Sequence, residues 1–147
     1  MIFQVVQHNS PEYWSAVELR REVLRRPLGL EFSEQELAAE SPNLHCVLLD
    51  SDEVIASATG TDLGDGQIKI RQVAVQSGLQ GQGFGRNIML FAEDQARARG
   101  YEMVVLHARA VVVDFYLKLG YELFEEPFVE VGIPHRKMRK SLVGKTR

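Results

Sequence analysis

The order of its segments predicts a mixed α/β fold, a single domain over residues 1–147 in which a mixed, mostly antiparallel central sheet of about seven strands is flanked by about four helices. Three observations lead there. Apolar residues recur at helical spacing in some segments and as short β-type runs in others. Two short connections, Ser51-Asp52-Glu53 and Gly64-Asp65-Gly66, join neighbouring β-type runs tightly enough for antiparallel hairpins. A strand-like run ending at Val75 empties into Gln80-Gly81-Gln82-Gly83-Phe84-Gly85-Arg86, and a helical run comes after it.

Taken in order, Ile2 to Gln7 is a short apolar strand. Ser10-Pro11-Glu12 starts a helix with a capping serine, a proline at the first helical position and an acid in the first turn. Tyr13, Ala16, Val17, Val23 and Leu24 give that helix one buried face to about Arg25, and Pro27 stops it. Arg20, Arg21, Arg25 and Arg26 crowd its end, where the dipole favours cations, and read as a solvated basic terminus. Ser33-Glu34-Gln35-Glu36 has capping-box spacing and opens a second short helix that ends near Ser41-Pro42.

Leu44 to Asp50, Val54 to Leu63 and Gln67 to Val75 are the next strands. The helix after the glycine-rich stretch carries Ile88, Phe91, Ala92, Gln95 and Ala96 on one side and is capped by Gly100. Met103 to His107 is continuously apolar up to its histidine, as in a strand buried on both faces. A short helix from Val111 to Leu119 ends at Gly120; Tyr121 to about Glu130 is a strand, Gly132-Ile133-Pro134 a turn, and His135 to Leu142 the last strand. The tail from Gly144 to Arg147 is expected to be loose.

Composition narrows the function classes. With 45% hydrophobic and 25% charged residues the chain has the make-up of a soluble globular protein, and its net charge of -3 argues against nucleic acid as a partner. No apolar run is long enough for a membrane span, and the first residues lack the pattern of a signal peptide, so a cytoplasmic protein is expected. The only cysteine, Cys46, lies in an apolar run and reads as a buried structural residue; no metal is expected.

The glycine-rich stretch is where chemistry enters. A helix that begins at such a turn leaves its first backbone N–H groups unpaired at the positive end of its dipole, and glycines let an anion approach them closely. A nucleotide P-loop would need Lys-Ser/Thr after the last glycine, where Arg86-Asn87 stands; a dinucleotide fingerprint would need glycine at 86. The pattern that fits is Gln/Arg-x-x-Gly-x-Gly/Ala, met by Gln80, Gly83 and Gly85, which resembles the pyrophosphate loop of the GNAT family of N-acetyltransferases. A second segment, Asp114-Phe115-Tyr116-Leu117-Lys118-Leu119-Gly120-Tyr121, resembles that family's Phe-Tyr-x-Lys-x-Gly-Phe/Tyr motif and lies at the expected distance downstream.

The resemblance extends over nearly the whole chain and implies acetyl-CoA as co-substrate. Its pyrophosphate would rest on the amides of Gly81, Gln82, Gly83, Phe84, Gly85 and Arg86 beside Gln80, and its pantetheine arm would run along Val73, Ala74 and Val75. A backbone N–H near Val75 would polarise the thioester carbonyl, and Tyr116 would lie beside the sulfur and protonate the departing thiolate. The acceptor amine would attack directly, with no acyl-enzyme.

Leu19-Arg20-Arg21-Glu22-Val23-Leu24-Arg25, Ile70-Arg71, His107-Ala108-Arg109 and Gly132-Ile133-Pro134-His135-Arg136-Lys137-Met138 are similar to the branch of the family that contains glyphosate N-acetyltransferases, and the Pro-His-x-x-Met ending also to the ElaA-like branch. That likeness implies that Arg25, Arg71 and Arg109 clamp an anionic small-molecule acceptor and that His135 is the general base, with Glu130 the other choice. Arg109 replaces the asparagine that many relatives carry before the Phe-Tyr segment. Two other functions stay open at the level of sequence: acetylation of protein lysines or N-termini, and a non-catalytic acyl-CoA-binding module. Either a monomer or a homodimer is compatible with the sequence.

Overall fold

The computed structural model describes residues 1–143, so the tail from 144 to 147 lies outside the described residues. The strands are β1 (Ile2–Val6), β2 (Leu44–Asp50), β3 (Glu53–Gly64), β4 (Gln67–Val75), β5 (Met103–Arg109), β6 (Glu122–Glu130) and β7 (Ile133–Ser141). The helices are α1 (Pro11–Arg20), α2 (Glu34–Ala38), α3 (Phe84–Ala98) and α4 (Val113–Lys118). The seven strands form one sheet in the order β1-β2-β3-β4-β5-β7-β6. Every neighbouring pair is antiparallel except β4 and β5, which α3 connects as a parallel crossover.

Local chemistry sets the element ends. Ser10 caps α1 by accepting from the Tyr13 amide at 3.1 Å, and Ser33 and Glu36 form a reciprocal capping box on α2. The helix expected to reach Arg25 does continue to wind, but with a changed register: the Arg26 amide bonds back to the Arg21 carbonyl, five residues away, in a π-turn over Arg21–Arg25. Pro27, which has no N–H to donate, then tightens the chain into a 3-10 turn closed by Gly29 at φ 70°. At the other end of the chain, the reversal between β6 and β7 uses Val131 and Gly132, with φ of 45° and 74°, rather than Gly132-Ile133-Pro134. Two successive positive φ angles give a tight reversal whose twist matches the flanking strands, and this brings Ile133 and Pro134 into β7.

The sheet is covered unequally. On one face α3 buries Ile88, Met89, Ala92 and Ala96 against Leu48, Ile55, Ile68, Ile70, Val104, Leu106 and Met138. Glu93 is buried in the same layer, where it accepts from the Tyr121 hydroxyl and the Lys140 ammonium, each at 2.7 Å. On the opposite face α1 packs Tyr13, Ala16 and Val17 over Val47, Leu49, Val54 and Ala74 and rests on β2, β3 and β4.

One arginine of the supposedly solvated basic terminus belongs to this second layer. Arg20 is buried, and its guanidinium forms a two-pronged pair with Glu40 at 3.1 and 2.7 Å. The Tyr13 hydroxyl donates to the same carboxylate at 2.8 Å, and the His45 ring bonds to the Glu40 carbonyl at 3.0 Å. Position on the helix, one turn after Ala16 and Val17, turns Arg20 inward, and a carboxylate is there to meet it. Cys46 is buried as expected, and burial pushes its thiol up to about 12, so it is chemically quiet.

Two irregularities in β4 open the middle of the sheet. β4 pairs with β5 only at Gln67↔Met103, Ile68↔Val104 and Lys69↔Val105; beyond that the two strands part. Between Arg71 and Ala74 the register with β3 slips by one residue, and Gln72 has φ 56°, the mark of a β-bulge. The extra residue inverts the alternation: Ile68 and Ile70 face α3, whereas Ala74 faces α1 and Val73 and Val75 pack on the α3 side.

Candidate active site

The parted strands leave a cleft whose walls differ on the two sides of the sheet. On the α3 side lies the glycine-rich turn. Gly81 and Gly83 have φ of 82° and 88°, conformations a side chain would strain, and a Cβ at either would point into open space. Gly83 is the N-cap of α3 and offers no capping side chain, so the amides of the first turn are free until Asn87, which bonds to the Gly83 carbonyl at 3.0 Å. Gly85 lies against Phe115 and Val75, its Cβ position 3.5 and 3.7 Å from their carbons. Gln80 serves the turn differently from the others: its side-chain amide donates to the Val75 carbonyl at 3.2 Å and ties the loop to the end of β4. Arg86 is exposed at the first turn of α3, and Gln82 reaches the Gly78 carbonyl at 3.5 Å.

The unpaired edge of β4 supplies a further donor. Successive residues of a strand direct their N–H groups to opposite edges. Gln76 donates to the Ile55 carbonyl of β3 at 2.9 Å, so the Val75 N–H faces away from β3 and into the cleft. The Val75 carbonyl, on the same edge, is the group that Gln80 reaches, which agrees with this direction.

Tyr116, on α4, packs against the layer under α3 and touches Phe115 and Tyr121 edge-on, with ring centroids 4.9 and 5.7 Å away. Its hydroxyl has no hydrogen-bond partner among the described residues, and burial pushes it up to about 12. It is therefore a protonated donor across the neutral range.

On the other side of the sheet, the face that α1 covers over β2 to β4, a polar cluster extends from β4 across β5, β7 and β6. Strand register puts Lys69 opposite Val105, Arg109 opposite His135, His107 opposite Lys137, and Phe128 opposite His135 on its other flank. His135 is buried, and its Nδ1 donates to the Ile133 carbonyl at 2.7 Å. A carbonyl oxygen can only accept, so in the neutral ring the proton is on Nδ1 and the lone pair on Nε2. His107 Nδ1 donates to Glu130 Oε1 at 3.0 Å, and the second carboxylate oxygen is 3.8 Å from His135 Nε2.

Charges tune these groups against one another. Burial pulls the Lys69 ammonium below its ordinary value, helped by Arg71 and Lys137 and opposed by Glu130. Burial also lowers His107, with Lys69 and Lys137 acting in the same sense and the Glu130 carboxylate against them. For Glu130 burial works upward, but the hydrogen bond and charge of His107 outweigh it and the net direction is down.

Of the sequence-predicted acceptor residues, Arg109 and His135 are cross-strand neighbours, and Arg71 is exposed on β4 close to Lys69. Arg25 comes from the π-turn after α1, a segment that touches β4. Its guanidinium donates to Glu36 at 3.1 Å and to the Glu31 carbonyl at 3.3 Å and lies over the Phe32 ring at 4.1 Å, so its fork is engaged between the π-turn and α2. Lys69, His107, Lys137 and Phe128 join the site without having been expected there. Their signal was available: each of the first three is two positions from a predicted residue on the same strand, and a spacing of two keeps side chains on one face.

Comparison with known proteins bears on the family and the fold. The acetyltransferase (GNAT) domain family matches residues 21–142. The uncharacterized N-acetyltransferase YjcF of Bacillus subtilis (strain 168) is 28% identical over 137 residues, covering 92% of this chain and 97% of its own. Among solved structures, Escherichia coli ElaA superposes with a TM-score of 0.82 over 95% of this chain and 99% of its own at 22% identity. An aminoglycoside 6'-N-acetyltransferase complexed with coenzyme A gives 0.83 over 100% of both chains at 16% identity. Those two likenesses carry the fold.

Proposed function

The chain belongs to the GNAT family of acetyltransferases, and on that premise we propose that it moves the acetyl group of acetyl-CoA directly onto the amine of a small acceptor that carries at least one acid group, a carboxylate or a phosphonate. The observation that carries this reading is the cationic wall around the histidine: Arg109 directly across from His135, with Lys69, Arg71 and Lys137 on the same face. Guanidinium forks bind carboxylate and phosphonate oxygens in pairs, and such charge-assisted bonds position as well as attract. The same wall would repel a lysine-rich peptide. A non-catalytic role fits poorly with a buried histidine whose Nε2 lone pair is open and a protonated tyrosine at the other wall.

Acetyl-CoA supplies an activated thioester. The α3 amides and the glycine turn fit its pyrophosphate, because Gly81 and Gly83 put no Cβ where an anion would approach the backbone. The Val75 N–H, which faces the cleft, would donate to the thioester carbonyl oxygen, where negative charge grows. The acceptor, arriving as an ammonium ion, gives its proton to His135 Nε2 and gains the electron pair that attacks. Tyr116 gives its hydroxyl proton to the departing sulfur. We place this activity in the cytoplasm; no helix among the described residues is long and apolar enough to cross a membrane.

The test is a panel of amino acids, aminophosphonates, neutral amines and lysine peptides assayed for coenzyme A release. Preferential turnover of the acidic amines supports the proposal. Turnover confined to lysine peptides or neutral amines would overturn it.

A further inference from the structure

Glu130 ends β6 and is the register partner of Ile133 across the Val131-Gly132 reversal. The same hairpin therefore supplies the carbonyl that fixes the His135 tautomer and the carboxylate that faces the ring's other nitrogen. The carboxylate is itself held: Oε1 accepts from His107 Nδ1 at 3.0 Å, while Oε2 stands 3.8 Å from His135 Nε2. That gap is too long for a hydrogen bond, so the neutral ring keeps its lone pair open, yet it lies within ion-pair range once the ring is charged. Phe128 packs edge-on to His107 and close to His135, with centroids 4.9 and 5.7 Å away, and closes the space between the two rings.

The other charged groups on this face make the carboxylate necessary. Lys69 and Arg71 approach from β4, His107 and Arg109 from β5, and Lys137 from β7, where Glu125 already pairs with it at 3.0 Å. Without Glu130, an imidazolium formed at His135 would share this face with these cations and with a carboxylate, Glu125, that Lys137 already engages.

We propose that Glu130 is a positioning residue: anchored by His107, its carboxylate stabilises the imidazolium that His135 becomes on taking the acceptor's proton. The N–H bond of the ammonium breaks, a new N–H forms at Nε2, the freed electron pair stays on the amine, and Glu130 remains ionised throughout. This inference rests on the reading of His135 as base.

Substitution at Glu130, read by ring titration and by kinetics, tests it. Glu130→Gln keeps an oxygen for His107 but removes the charge, whereas Glu130→Asp keeps the charge on a shorter arm. NMR titration of the ring carbons should show His135 protonating at lower pH in Glu130→Gln, by about one unit, or tenfold in the equilibrium. The acid limb of kcat should move with it, and kcat near neutrality should fall by about tenfold with a smaller change in acceptor KM. Glu130→Asp should lie nearer the native protein in all three. A purely structural role predicts the reverse ranking, since Gln is the closer fit, and that ranking or an unmoved His135 titration would overturn the proposal. If His135→Ala retained full rate while the Glu130→Gln shift was still seen, the base assignment would fall, and with it the catalytic meaning of Glu130, leaving only the electrostatic contact.

Discussion

The Nδ1 of His135 lies 2.7 Å from the carbonyl oxygen of Ile133, two residues back along the same strand. A bond so short in sequence distance makes the tautomer a property of the hairpin rather than of the ligand. His135→Ala should accordingly remove most of kcat, on the order of 10²–10⁴-fold. The native rate should rise with pH through one ionisation that is missing from the variant. A full-rate His135→Ala enzyme with the native pH profile would place the base elsewhere.

Tyr116→Phe should lower kcat with little change in acetyl-CoA affinity, because the hydroxyl acts only as the sulfur departs. Its ionisation is raised to about 12, so loss of the donor should begin only well into alkaline pH. Steady-state kinetics beside calorimetric titration with acetyl-CoA separates the two effects; unchanged kcat would make Tyr116 a packing residue.

The two loop glycines should respond differently. Gly83→Val meets no neighbour at its Cβ but is strained at φ 88°, and it sets a branched side chain beside the free amides. Gly85→Val also presses its methyls towards Phe115 and Val75. Both should weaken acetyl-CoA binding by at least about tenfold, roughly 1.4 kcal/mol, and Gly85→Val should in addition lower the melting temperature. Native affinity in folded Gly83→Val would remove the turn from the binding site.

Arginine replacements should separate by position. Arg71→Ala and Arg109→Ala should raise KM for an acidic acceptor more than for its neutral analogue. Arg25→Ala should do so least, since its fork is engaged with Glu36, and its half-exposed pair contributes only about 0.2–1 kcal/mol to stability. Equal effects of Arg71→Ala on both acceptors would make that residue structural.

Acid should weaken the fold before any carboxylate titrates. Burial lowers the His45 ionisation below its ordinary value, so the unfolded chain takes up a proton near pH 6.5 that the native state still refuses. Stability from this source is complete above about 6.5 and declines as pH falls towards the lowered native value. Melting curves between pH 8 and 5 should show that decline, and His45→Asn should flatten it. Glu40→Ala, which strands the buried Arg20 charge, should cost about 3–5 kcal/mol at any pH in this range.

The sequence made much of this plain where a residue's role is local. Capping at Ser10 and Ser33, the Asp65-Gly66 reversal and the glycine turn before α3 each come from a few adjacent residues, and each is present. Arg20 and Glu93 were opaque because the reason for burying them is a partner far along the chain, Glu40 in one case and Tyr121 and Lys140 in the other. The pairing of Glu130 with His107 was hidden for the same reason: β7 lies between β5 and β6 in the sheet, so all three strands must assemble before two residues 23 positions apart meet. Likeness alone points Arg25 towards the acceptor, and the ion pair that engages it depends on how α2 docks.

The bulge at Gln72 gives β4 a different allegiance on each side of that residue. Before it, Lys69 and Arg71 lie on the face of the sheet that carries His135; after it, Val73 and Val75 pack on the α3 side, next to the glycine turn. Substitutions at 69 and 71 can therefore drift without disturbing the neighbouring half of the strand, so on the proposed function the choice of acceptor could diverge while the donor side is kept. Deleting one residue at the bulge would erase that independence by exchanging the faces of everything on one side of it.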